Sequence, residues 1–171
     1  MKKIFTLIFV FSSMLSFTQI DLESIFEGGT NDAQTFLKGY AQPGAVGFGN
    51  GINGGWYTTA KTHKFLGIDI SVIANAALIP TADETFTFNN SDYSSKLQLD
   101  SGTSAELPTM FGSQKLADRP LLKFSDATGN SISSSSLPGS GLKGAIGYNV
   151  MPSAMIQAGI GLFKNTDLKI R

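Results

Sequence analysis

The chain has no cysteine, which removes a disulfide framework, a cysteine metal site and the acylated cysteine of a bacterial lipoprotein anchor. Histidine occurs once, at His63, too few to build a histidine metal cluster or to pair with a second imidazole. In the polar stretch Lys61-Thr62-His63 it reads as a turn residue rather than a catalyst. Charge is scarce: 15% of residues are Asp, Glu, Lys or Arg, against about 25% in ordinary soluble domains. The 13 basic side chains are balanced by 13 acidic ones, so there is no basic excess to attract nucleic acid. No stretch reaches the roughly eighteen consecutive apolar residues that a membrane helix needs. A mature protein that enters a bilayer must therefore do so with strands.

What the chain does have is glycine, 19 in 171 residues, and phenylalanine, 13. That length suits one ordinary domain, and the composition suits one rich in strands and turns. Lys2 and Lys3, the short apolar run Ile4 to Phe11 and the small residues around Ser16-Phe17-Thr18 have the layout of a secretory signal peptide. Residues 1–18 are assigned to it, and 19–43 to an N-terminal helical segment, a candidate plug. Residues 44–171 are assigned to an antiparallel β-barrel-like region with a long loop at about 90–140.

The stretch Lys64 to Pro80 sets the architecture. Leu66, Ile68, Ile70, Val72, Ala74, Ala76 and Leu78 occupy one set of alternate positions; Gly67, Asp69, Ser71, Ile73, Asn75 and Ala77 occupy the other. Side chains on a strand alternate between faces, so this is one strand with an apolar face. The apolar row covers roughly 40 Å, longer than a soluble strand and long enough for a tilted transmembrane one.

Asn31 to Tyr40 predicts a short helix, with Asn31 and Gln34 as a capping box and Ala33, Phe36, Leu37 and Tyr40 as its apolar stripe. Pro43-Gly44 predicts its end. From Ala45 to Lys61 the pattern fits a strand: Val46, Phe48, Ile52 and Trp56 on one face, Gly47, Gly49, Gly51 and Gly55 on the other. It is expected to form a hairpin with the Lys64 strand. Thr85 to Asn89 predicts a short strand; a long irregular tract follows from about Asn90 to Ser140, with the short apolar pieces Lys96–Leu99 and Leu121–Phe124 as candidate strands within it. Alternation returns in Leu142 to Val150, is broken at Met151-Pro152, and resumes in Ala154 to Leu162. After a tight turn at Lys164-Asn165 it continues through Leu168 and Ile170 to Arg171.

Gly39-Tyr40-Ala41-Gln42-Pro43, the glycine-rich Gly47 to Trp56, Leu107-Pro108-Thr109-Met110-Phe111-Gly112 and the signal peptide together resemble secreted Bacteroidota proteins of unknown function. Those are similar in layout to outer-membrane β-barrels, loosely of the long-chain fatty-acid transporter type, and this chain looks like an amino-terminal portion of one. The resemblance implies an internal plug and a small apolar ligand.

Sequence alone thus predicts an all-β fold: an antiparallel meander of long strands, a partial or truncated outer-membrane β-barrel, with a short N-terminal helix. Asp69, Asn75, Lys143, Gln157, Lys169 and Arg171 are the expected lumen-facing side chains. The expected function is binding or passage of a small apolar molecule at the cell outer membrane, with lipid as a partner and no nucleic acid. No enzymatic chemistry, metal or cofactor is expected. Gly49 to Gly54 spells G-x-G-x-x-G, but without the strand before and helix after that a dinucleotide site requires. The alternative is a secreted or periplasmic β-sandwich, a binding or structural module without transport activity, whose apolar rows face each other about 10 Å apart.

Overall fold

The computed structural model describes residues 29–57, 59–125 and 130–171. The expected signal peptide lies outside the described residues. The described chain forms helix α1, Thr30–Asn53, and strands β1 Ile68–Leu78, β2 Thr85–Asn89, β3 Leu97–Leu99 and β4 Ser104–Pro108. Strands β5 Leu121–Ser125 and β6 Ser131–Ser135, helix α2 Leu142–Ile146, and strands β7 Val150–Gly161 and β8 Asp167–Ile170 complete it. The protein is mostly β, with antiparallel sheets and an N-terminal helix.

That helix is not short. α1 runs through Pro43 and takes in most of the glycine-rich stretch expected to be a strand, crossing the expected boundary between residues 43 and 44. Proline removes one helical hydrogen bond and crowds the carbonyl four residues back. Local support compensates: the Tyr40 carbonyl accepts the Met110 N–H at 3.0 Å, and the Tyr40 hydroxyl donates to the Pro138 carbonyl at 2.8 Å. The glycines at 44, 47 and 51 are all buried and recur every three or four residues, a helical stripe rather than a strand face. They let the helix backbone approach a sheet closely. A β-carbon on Gly47 would lie 2.6 Å from Ile79 and 2.8 Å from Met151.

The sheet under that stripe has the order β1–β7–β8, antiparallel throughout. β1 and β7 pair over their whole length, from Ile68 opposite Ile160 to Leu78 opposite Val150. β7 passes straight through Met151-Pro152, where the sequence pattern suggested a break. Pro152 lies beyond the reach of β8, which pairs only with Ala158 to Gly161, so its missing N–H costs no ladder bond on that side. The β7–β8 turn is the expected one, with Lys164 and Asn165 both at positive φ, as a tight hairpin requires. Of the expected strand Leu142–Val150 only Val150, the first residue of β7, is in a strand; its first half is α2, bracketed by Gly141 and Gly147 at φ 71° and 87°. The sheet does not close: β1 and β8 are its two edges among the described residues.

Between β1 and β7 the chain builds a second unit. β2 pairs with β4, and β3–β5–β6 form a three-stranded sheet. The expected strand Thr85–Asn89 is β2, and the two apolar pieces in the tract at 90–140 become β3 and β5. The tract is thus folded, not irregular. Its core of Phe88, Leu97, Leu107 and Leu122 closes on Ala33 and Phe36 from the first half of α1. Phe88 stacks on Tyr93 at 4.0 Å, and Phe36 meets Phe86 edge-on at 5.6 Å. Hence α1 belongs to both units: its first turns to this small core, its last turns to the long sheet.

Candidate functional site

The two faces of the β1–β7–β8 sheet differ in kind. On one, the even-numbered residues of three strands lie side by side: Ile68, Ile160 and Leu168 in one row, Ile70, Ala158 and Ile170 in the next, then Val72 with Ile156. Ala74 with Ala154, Ala76 with Pro152 and Leu78 with Val150 continue the face, and no polar side chain interrupts it. It is also bare: Val72 is 80% exposed, Ile70 73% and Ile156 68%. No second layer of the described protein packs on it, as the sandwich alternative requires. Apolar faces this large and continuous on a monomer mark an interaction with lipid or protein.

The opposite face is mixed: it carries Asp69, Ser71, Asn75, Ser153, Gln157, Lys169 and Arg171 beside Ile73, Ala77, Met151 and Met155, and the glycine stripe of α1 lies across part of it. Five of the six expected lumen-facing residues are here. Asn75 Nδ2 donates to the carbonyls of Gly51 at 2.8 Å and Gly54 at 3.1 Å. Arg171 donates from Nε to Gln157 Oε1 at 2.9 Å and from Nη1 to the carbonyls of Ile52 and Gly54. The last carbonyls of a helix have no partner inside it and carry the negative end of its dipole. An amide and a guanidinium from the sheet therefore seat the end of α1. Trp56 covers the Arg171 guanidinium, and Lys169 lies over the Tyr57 ring at 5.3 Å. Asp69 accepts from Ser71 at 2.9 Å, and no ion pair joins it to Lys169 or Arg171.

Lys143 is the sixth, and it is elsewhere. On α2 it forms an ion pair with Glu84 at 2.6 Å, and Asn149 donates to the same carboxylate at 3.2 Å. The strand expected around it is absent because Gly141 and Gly147 punctuate a single helical turn. His63 sits at the end of the long sheet, its Nδ1 3.0 Å from Asp167 Oδ2 while its N–H donates to Oδ1. The G-x-G-x-x-G string falls in the last turns of α1, not between a strand and a helix. Among the described residues no group of three or more His, Asp or Glu is placed to hold a metal ion. None of the described helices is long and apolar enough to cross a membrane, which says nothing about crossing by strands.

This chain belongs to the DUF6588 family. The family, one of unknown function, matches residues 1–171. No curated protein and no solved structure matches the chain. In this DUF6588 chain a cleft of about 170 Å³ opens beside Pro43, between Gly39, Gln42, Val46, Phe86 and Thr109. That is smaller than the roughly 300–1,000 Å³ of a typical ligand pocket. Val46, Phe48 and Ile52 of α1 are exposed, at 53%, 44% and 38%, and of the three Val46 lines the cleft. Sequence reasoning missed Trp56 as the cover of Arg171, and the helix end as the partner of Asn75. The glycine interval 44, 47, 51 was the available signal, since it fits a helix better than a strand.

Proposed function

We propose that the chain contributes to an outer-membrane β-barrel, with the even-numbered face of β1–β7–β8 turned to lipid and α1 held on the lumenal side. The single observation that carries this reading is the inversion of the sheet. Its wholly apolar side is uncovered, and the side that carries all its charged and amide side chains is the one that packs against the rest of the protein. A soluble sheet does the reverse, and a membrane barrel does this. β1 and β7, with 11 and 12 residues, have the length of tilted transmembrane strands. In this reading Asp69, Asn75, Gln157, Lys169 and Arg171 look into the lumen. The activity is binding or passage of a small apolar molecule, for which the cleft beside Pro43, lined in part by Val46 and Phe86, is the candidate site.

The absence of cysteine makes the test clean. Single cysteines at each position from 68 to 78 are spin-labelled in membrane-inserted protein. The labels are then exposed to oxygen, which concentrates in lipid, and to a water-soluble nickel complex. The expected result is a period of two, with oxygen dominant at Ile70, Val72 and Ala74 and nickel favoured at Asp69, Ser71 and Asn75. Nickel access at the even positions would leave a water-soluble module instead.

A further inference from the structure

The same sheet also constrains what completes it. β1 is antiparallel to β7, and β7 is antiparallel to β8, so the two edge strands run in the same direction. Both edges are open among the described residues. The Ile79 N–H points at Asn149 of the β7 side. Alternate residues of an antiparallel strand face opposite neighbours, so the backbone groups of Ile68, Ile70, Val72, Ala74, Ala76 and Leu78 point to the open edge. In water such groups are solvated, but in hydrocarbon they need a partner.

From this strand parity we infer that the wall is completed by strands of a different sequence, odd in number, that enter between β8 and β1. The inference rests on the membrane reading above. Copies of the chain cannot do it. Side by side in the same membrane orientation, the β8 of one copy would meet the β1 of the next in parallel, against the antiparallel order of membrane barrels. Pairing β1 with β1 of a second copy would be antiparallel, but it would turn one copy upside down in the bilayer. An odd number of inserted strands keeps every neighbour antiparallel and makes the total even. The smallest membrane barrels have about eight strands, so roughly five or more are required. Their chemistry follows from the two faces already present. Each has about ten residues, apolar side chains alternating with small or polar ones, and its apolar set in line with the even-numbered rows.

The test is made on the full chain in its own outer membrane. Amide exchange is followed at the even-numbered residues of β1, which a completing strand would protect and an open edge would not. In parallel, cysteines replace Ile70 and Leu168 together, and oxidation is used to join adjacent strands. The expected result is slow exchange at Ile70, Val72 and Ala74 with no covalent dimer. Fast exchange at those amides would overturn the inference by showing an open edge. A disulfide-linked ladder of copies would overturn it by showing self-closure. Spin labels on Val72 separate the two readings. If they report lipid while either overturning result is seen, only the odd-strand completion fails; if they report water, the membrane reading itself fails.

Discussion

The guanidinium of Arg171 lies 4.2 Å from the centre of the Trp56 ring and donates to the carbonyls of Ile52 at 2.6 Å and Gly54 at 2.7 Å. Arg171, the residue after β8, thus holds the end of α1. Hydrogen bonds to a charged donor contribute about 1.5–3 kcal/mol, and cation–π stacking about 0.5–1 kcal/mol more. Arg171→Ala is expected to loosen the docking of α1 by about 2 kcal/mol. Trp56 is the single tryptophan, so its emission should shift to the red, and proteases should cut faster after Gly54. Arg171→Lys keeps the charge without the planar fork and should recover only part of the loss. Unchanged emission in Arg171→Ala would refute this role.

Two glycines two residues apart, on nearly opposite sides of α1, should respond in opposite ways. A β-carbon at Gly49 meets nothing within 4 Å, whereas at Gly47 it collides with Ile79 and Met151. Gly49→Ala is expected to stabilise by about 0.5–1 kcal/mol, the ordinary helix gain. Gly47→Ala should destabilise by about 1–3 kcal/mol as the helix is pushed off the sheet. Denaturant midpoints of the two variants, read by circular dichroism, decide the matter, and equal shifts would contradict the close packing.

Val72, at the centre of β1 and 80% exposed, separates lipid from water as its surroundings. Arginine on the lipid face near the bilayer midplane costs about 2–4 kcal/mol. At an exposed position in water the same change falls within about 0.5 kcal/mol. Folding of Val72→Arg into lipid vesicles under urea is expected to show the larger loss, and a loss near zero would remove lipid from that face.

Tyr93, stacked on Phe88, has its hydroxyl pushed up to about 12 by burial first and then by the charges of Asp92 and Asp32. The group is an acid whose folded value lies above its unfolded value of about 10. Its contribution to stability is therefore complete below pH about 10 and is lost as pH rises through about 12. The unfolding midpoint of the small unit should fall across that window in the wild type, and less in Tyr93→Phe. An equal fall in both proteins would assign the loss to other groups.

Alternation exposed the long sheet well, because strands with one uncovered apolar side leave an uninterrupted period of two in Ile68 to Leu78 and Ala154 to Ile160. β2, β3 and β5 were legible for the same reason, as short apolar runs between turn residues. α1 was misread past Pro43, since a proline inside a helix depends on outside support that sequence does not display, here the Met110 N–H on Tyr40. Val46, Phe48 and Ile52 also satisfy a two-residue alternation by accident, while the packing is set by Gly44, Gly47 and Gly51. Lys143 was misplaced because two glycines turned an alternating stretch into a single helical turn. Of the polar face, Asp69, Asn75, Gln157, Lys169 and Arg171 could be read off as one side of the sheet. That Asn75 and Arg171 seat a helix end could not, because their partners are backbone carbonyls far away in sequence.

Leu78 and Val150 face each other at the point where β1 stops and β7 starts, and Ile79 is bonded to Asn149 one step beyond. The whole second unit therefore leaves and re-enters the sheet through adjacent residues, like a cassette clipped into a hairpin. A two-residue connection between those strands would excise it without disturbing a single rung of the ladder. What the excision would strip bare is the first half of α1, the Phe36 ring together with the Tyr40 carbonyl and hydroxyl that Met110 and Pro138 engage, so a replacement cassette must offer that ring a home and those groups their partners.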